Sequence, residues 1–479
     1  MKSPRLYRLL AALNAQEMAA FDKYVRSPYV NQHQDTIRFW ELIAPGWPAF
    51  AEEMRAPERQ FEALFPGTPF EDVQIRTLRK YLLRLLERFL IQRHLEKDSG
   101  YRSRALLTEL HERELYALSG LYLEEAFEQV EAYPYRNEIY YQDRFFLNRL
   151  LLQHQIITQP RLAPANMGEM LQPLDHAYVI LKLSYACAMA NRLQQVRQEL
   201  VESKFLPVIL AYCAERFDEL PALAQAYYLT YLLITRQEQP STLDDLMGIL
   251  AARRGQFHRT DLLNLFVFAI NYCNYRYRAG APDFLRRMFN LYQRMLDYDL
   301  LFEKGLMSSH QYKNLSTLGL RLGEYDWTEQ FILRYQDRID AQYRESVVAY
   351  NLAHLHTYRG QYREAMKLLR HMEFIEPFYR ISYYLLLLKI YYECREVEPL
   401  VSLAQSFQAF LQRKQAIEAQ NRRAYVNFVR LLRRLFLARI SESQDRIPKL
   451  ESDIRRSGNL IERDWLVAKL EEWKAESAA

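Results

Sequence analysis

The chain holds few residues spaced for chemistry. His354 and His356 come nearest to a metal-ligand pair. At i, i+2 their rings point to different sides of a helix, and no Cys, Asp or Glu lies close by in sequence. Packing or groove lining is therefore the expected role of both. The acid pairs Glu124-Glu125 and Asp244-Asp245 are sequence neighbours on helical segments. Neighbouring helical residues point about 100° apart, so neither pair converges on one proton. The chain has no Walker A sequence, no GxGxxG, no HExxH, no GxSxG and no CxxC, the spacings that phosphate, zinc and nucleophile chemistry require. No enzyme activity, no metal and no cofactor is expected.

Cations form the stronger pattern. Residues 411–440 carry Arg413, Lys414, Arg422, Arg423, Arg430, Arg433, Arg434 and Arg439 against one acid, Glu418. That local excess is larger than the +5 of the whole chain. At a helical pitch Arg422, Arg423, Arg430, Arg433 and Arg434 fall within an arc of about 120°. Tyr425, Phe428, Leu432, Leu435 and Phe436 occupy a separate, core-facing arc. Such a basic amphipathic helix fits an acidic partner or a phosphate backbone. The alternative is a solvated face neutralised by acids of neighbouring helices. A second basic helix spans about Glu71–Lys97. Ile75, Leu78, Leu82, Leu85 and Phe89 form its apolar stripe, flanked by Arg76, Arg79, Lys80 and Arg84. Its cations, from Arg76 to Arg93, are the other candidate for nucleic acid.

The elements that carry these residues read as helical from end to end. Apolar residues make up 49 % of the chain, enough to build cores. Glycine numbers only 13, and NG and DG dipeptides are absent, which argues against hairpin-rich sheets. The 479 residues exceed one ordinary core, so several domains or a repeat array are expected. Cys187, Cys213, Cys273 and Cys394 sit far apart in apolar helical contexts and read as buried free thiols of a reducing compartment. The N-terminus reads as neither signal peptide nor membrane span, and apolar runs such as Tyr383–Leu388 are too short to cross a bilayer. A cytoplasmic location is expected.

Along the chain, Asn14 and Glu17 form a capping-box pattern that opens a helix to about Arg26. Asp98-Ser99-Gly100 marks a boundary. Helices are expected at about 101–118, 120–132 and 135–158. Gln159–Pro173, with three prolines and a glycine, reads as an exposed connection. Helices resume at about 174–200 and run to a C-terminal cap at about 417–474.

The stretch Ala349–Pro377 reads as two helices joined at Arg359-Gly360-Gln361. Leu352, Ala353, Gly360, Tyr362, Ala365 and Pro377 follow the spacing of the tetratricopeptide repeat, which it resembles. Leu315, Gly323, Tyr325 and Thr328 take matching places before it, and Leu387, Tyr391, Leu400 and Ala404 after it, without the turn glycine. The leucines at 315, 352 and 387 lie 37 and 35 residues apart. The resemblance is clear over about 310–410 and weak over about 220–310. It implies a right-handed α-solenoid whose concave groove is lined by the first helix of each hairpin. The groove positions are then His310, Lys313, Thr317, Leu320 and Arg321; Val347, Tyr350, His354, Thr357 and Tyr358; and Ser382, Leu385, Lys389, Tyr392 and Glu393. Tyrosines, histidine and cations suit a peptide with apolar anchors and an acidic group. The order of short helix, LFPG turn and long basic helix in residues 61–90 looks like part of a winged-helix domain, though no strand pair for a wing follows. The opening, with SPYVN and LFP, also resembles uncharacterised large bacterial all-helical proteins.

The expected organisation is all-α. An N-terminal helical module (1–98) precedes degenerate hairpins (99–309), clearer repeats (310–410), and basic and capping helices (411–479). The expected role is a non-enzymatic scaffold that binds a peptide or protein in the groove. The alternative is a nucleic-acid-linked regulator acting through 76–93 or 411–440.

Overall fold

A computed structural model of the chain describes residues 5–159, 167–196, 203–236, 240–370, 372, 377–413 and 419–478. The fold is all-helical, with 81 % helix. Among the described residues there are 23 α-helices, and the one strand pairing joins Phe302–Glu303 to Leu306–Met307 antiparallel. No described helix is long and apolar enough to cross a membrane.

The N-terminal helices follow their local signals. Asn14 accepts from the Glu17 N–H at 2.9 Å, and Glu17 accepts from the Asn14 N–H at 3.1 Å, closing both halves of the capping box on helix Ala15–Arg26. The long helix Asp72–Lys97 buries Ile75, Leu78, Leu82, Leu85, Leu86 and Phe89. These meet Phe21, Phe39, Trp40 and Phe61 from the preceding helices in one apolar cluster that takes in residues 6–89.

Two expected boundaries move. The break placed at Ser119-Gly120 falls instead at Arg113–Leu115, where Glu114 takes φ +59°. Helix Tyr116–Glu131 runs through Gly120, with Ser119 fully buried. The expected exposed connection is helical from Met167 onward, with Pro173 inside helix Met167–Val196; the rest of it, 160–166, lies outside the described residues. At Asp98 one helix ends and the next begins. The Asp98 carboxylate accepts from the Tyr101 N–H at 2.8 Å and caps a new helix, Ser99–Glu112.

The chain divides into two compact units. One comprises Met1–Ser184, Phe205–Gln225 and Arg253–Gln256; the other comprises Tyr185–Lys204, Ala226–Ala252 and Phe257–Ala479. The second unit contains four helical hairpins: Arg259–Arg278 with Asp283–Asp297, Ser309–Arg321 with Tyr325–Tyr335, Arg344–Tyr358 with Tyr362–Leu369, and Pro377–Glu393 with Val397–Arg413. Their first helices end alike. A backbone N–H reaches back five residues, from Ala281 to Arg276, Glu324 to Gly319, Gln361 to His356 and Glu396 to Tyr391. The residue just before each donor is left-handed: Gly280, Gly323, Gly360 and, in the hairpin without a turn glycine, Arg395 at φ +59°. Within each hairpin the two helices pack together, and Ser309–Arg321 and Pro377–Glu393 also pack against Arg344–Tyr358. Small residues sit at the crossings: Ala353, Ala365 and Thr328 are fully buried, and Ala404 nearly so.

Gly319 is the tightest of these crossings. A Cβ there would lie 2.3 Å from Thr328 Oγ1, which is already committed to the Glu324 carbonyl at 2.7 Å. Helix propensity alone favours alanine by about 1 kcal/mol, but an overlap of this size costs about 1–3 kcal/mol. Gly319→Ala is therefore expected to lower the unfolding temperature. With Thr328→Ala in place the obstacle is gone and the same change should become neutral or stabilising, a coupling that thermal unfolding of the double-mutant cycle reads directly.

Candidate functional site

Within the second unit, three helices place a ladder of side chains each on one cavity of about 610 Å³. Helix Ser309–Arg321 contributes Lys313, Thr317 and Arg321, spaced i, i+4, i+8. Helix Arg344–Tyr358 contributes Tyr350 and His354, with Tyr358 next on the same spacing. Helix Pro377–Glu393 contributes Ser382, Leu385 and Lys389. Steps of three and four keep each set on one helical face. Of the fifteen groove positions read from the sequence, Lys313, Thr317, Arg321, Tyr350, His354, Ser382, Leu385 and Lys389 thus line one cavity, and Tyr358 stands beside it.

The contacts are dense. Lys313 Nζ donates to Ser382 Oγ and lies 5.7 Å from the ring centroids of both Tyr350 and Tyr379, within cation–π range. Tyr350 is 3 % exposed, hydrogen-bonds Ser382, and meets Tyr379 edge-on at 5.2 Å. It is part of the cavity floor and not a free anchor. His354 sits between Tyr350 and Tyr358, at centroid distances of 5.8 and 5.3 Å. Tyr358 is 40 % exposed and hydrogen-bonded to Arg321. Lys389 pairs with Glu462 at 2.6 Å.

Tyr392 does not belong to this site. It is 1 % exposed, packs on Phe436 and Trp465 at 5.5 and 5.2 Å, and accepts from Arg439 Nη1 at 3.2 Å. The reason is coverage. Pro377–Glu393 shares an apolar cluster with Phe428, Leu435, Phe436 and Trp473 of the C-terminal helices, so a position that would be open in a helix without that cover is core here. Sequence reasoning also missed the opposite wall, Asn271, Asn274, Tyr277 and Tyr292, and the closing residues Tyr425 and Glu462.

Burial, reinforced by the charges of Lys389, Lys313 and Arg321, pushes the His354 imidazole down to about 3. Glu462 is the one carboxylate among the described lining residues, and Lys389 holds it. His354 thus stays neutral in the folded chain down to about pH 3, whereas in the unfolded chain it gains a proton near pH 6.5. Between these values the unfolded state binds more protons. The stability that His354 contributes is full above about pH 6.5 and falls as pH drops through that window, by up to about 1.4 kcal/mol per unit. His354→Gln should remove this slope. Urea unfolding of both chains between pH 7 and 5 is expected to give converging stabilities; parallel curves would contradict the assignment.

His356 turns away to Gln361 Oε1 at 2.6 Å, while His354 faces the cavity. Among the described residues no group of three potential metal ligands converges. Cys187, Cys213 and Cys273 are buried free thiols, and Cys394 is a half-buried one.

The basic stripes are partly drawn into the structure. Arg434 pairs with Asp453 at 2.6 Å, and Arg439 with Glu476 at 2.5 Å. Arg423 and Arg430 are exposed, while Arg422, Arg433 and Arg434 are half-buried; Lys414 and Glu418 lie outside the described residues. On the N-terminal helix, Arg79 donates to the Arg55 carbonyl at 2.7 Å and to Gln60 Oε1 at 2.8 Å. Arg76 pairs with Asp72, and Arg93 pairs with Glu17 at 3.5 Å. Lys80, Arg84 and Arg88 are exposed. No family model, curated protein or solved structure matches this chain.

Proposed function

We propose that the protein is a non-enzymatic binding scaffold of the tetratricopeptide-repeat type. Its hairpins stack as a right-handed α-solenoid, and a peptide or protein partner enters the groove lined by Lys313, Arg321, Tyr350, His354 and Lys389. The observation that carries this reading is the convergence of three helical ladders, in steps of three and four residues, from three consecutive hairpins on one cavity. Its volume lies in the range of ligand-binding sites, and its mixture of apolar wall and a few directed polar groups is what recognition requires. Binding rather than catalysis is supported by the state of the ionisable groups. His354, pushed down to about 3 among three cations, is a poor general base, and the cavity's carboxylate is paired with Lys389.

The alternative, a nucleic-acid regulator, draws support from the exposed Arg423 and Arg430 and from Lys80, Arg84 and Arg88. Against it, Arg79, Arg434 and Arg439 already serve internal contacts. The two readings separate by titrating a captured partner against groove and stripe variants at low and high salt. Partner affinity that tracks the stripe and falls steeply with salt would replace the groove reading.

A further inference from the structure

We propose that the cavity binds a phosphoryl group carried on an organic body, gripped by Arg321, Lys313, Thr317 and His354. The inference rests on the groove reading above and names the chemistry of what enters it.

Charge is the first observation. The described lining carries Arg278, Lys313, Arg321 and Lys389 against Glu462 alone, and Glu462 is taken up by Lys389 at 2.6 Å. A concave surface with this excess concentrates anions.

Unmet hydrogen bonds are the second. Thr317 Oγ1 and His354 Nδ1 are both shielded from solvent, and neither has a partner among the described residues. Buried polar atoms are rarely left so, because each costs its full desolvation. Both residues line the cavity, and Thr317 stands one turn from Lys313 and one turn from Arg321 on the same face. A ligand oxygen beside them can accept from the threonine hydroxyl, and from the imidazole in its Nδ1–H tautomer, while meeting the cations.

The number of donors selects the group. A carboxylate offers two oxygens in one plane and a single charge. A phosphate monoester offers three terminal oxygens and nearly two charges, matching an ammonium, a guanidinium and two neutral donors arriving from two helices. The cavity is also larger than a lone phosphate needs, and Leu285, Met288, Tyr292, Ile381 and Leu385 give its remaining wall an apolar and aromatic character. That wall fits the body of an ester.

The test is calorimetric titration of the full chain at pH 8 with phenyl phosphate, benzoate and inorganic phosphate. Phenyl phosphate should bind at least about tenfold more tightly than either comparator. Arg321→Gln, at an exposed position, should weaken it about tenfold or more with an unchanged unfolding temperature. Thr317→Val should weaken it severalfold, and Arg423→Gln not at all. Equal binding of benzoate, equal binding of inorganic phosphate, undiminished binding by Arg321→Gln or no binding of phenyl phosphate would each overturn the proposal. Partner capture that depends on Tyr358 but is indifferent to saturating phenyl phosphate would also overturn it and leave the groove reading standing. Phenyl phosphate binding that needs Arg321, in a chain whose partner capture ignores Tyr358→Ala, would uphold this inference and remove the scaffold reading.

Discussion

Tyr358→Ala is expected to weaken partner capture by roughly thirtyfold, about 2 kcal/mol. Arg430→Glu combined with Arg433→Glu should change it little beyond a salt-dependent rate. The asymmetry follows from where the side chains stand. Tyr358 is the ring of its ladder that reaches solvent, 40 % exposed and braced by Arg321 and His354. A partner that covers it desolvates an already oriented aromatic surface, which is what makes an anchor effective. Tyr350, eight residues earlier, cannot be tested in the same way. Its ring is buried against Tyr379, and truncation to alanine would open a cavity costing about 3–5 kcal/mol in stability. Tyr350→Phe keeps the ring and removes only the hydroxyl that meets Ser382. It should therefore leave the fold intact and reduce capture modestly. Titration of the captured partner against these three variants, with unfolding temperatures measured alongside, separates loss of recognition from loss of structure. If the arginine reversals abolish capture and Tyr358→Ala does not, the binding surface is the C-terminal helix.

Ala365→Trp should unfold part of the hairpin region, whereas Arg363→Ala should be nearly silent. Ala365 is fully buried on helix Tyr362–Leu369, which packs closely along Arg344–Tyr358. Nothing there can retreat to admit an indole, and overpacking of well-filled contacts costs about 1–3 kcal/mol or more. Arg363, two residues away, is exposed, where substitutions usually stay within about 0.5 kcal/mol. Because Arg344–Tyr358 carries Tyr350, His354 and Tyr358, the tryptophan variant should lose partner capture together with stability. Thermal unfolding of the two variants checks this, and equal shifts would mean that the helix presents a different face to its neighbour.

What the sequence disclosed was whatever is decided locally. The Asn14–Glu17 capping box, the apolar stripe of Asp72–Lys97 and the turn at Gly360 depend on residues within a few positions of one another, and each stands where it was expected. The ladders of Lys313, Thr317 and Arg321 and of Tyr350, His354 and Tyr358 were legible for the same reason. Helical periodicity fixes which residues share a face. What covers a face is fixed elsewhere in the chain. Tyr392 looked like a groove residue because its own helix permits it, and it is core because Phe436 and Trp465 arrive from the C-terminal helices. Arg79 looked like part of a phosphate-binding flank, yet its guanidinium ties down the Arg55 carbonyl. The far wall of the cavity, Asn271 to Tyr292, and its closing acid Glu462 were invisible because they belong to elements distant in sequence. Glu114 and Arg395 mark a related limit. Both end helices in the left-handed region without the glycine that would announce it.

Site-specific photocrosslinking in the full chain locates the bound partner most directly. p-Benzoylphenylalanine would replace Tyr358 in one sample and Arg430 in another, each irradiated with the captured partner. The ring at position 358 keeps the aromatic character of the site, and both positions are exposed. A covalent adduct is expected from position 358, lost when phenyl phosphate saturates the cavity, and none from position 430. An adduct from position 430 alone would place the partner on the C-terminal helix and overturn the groove reading.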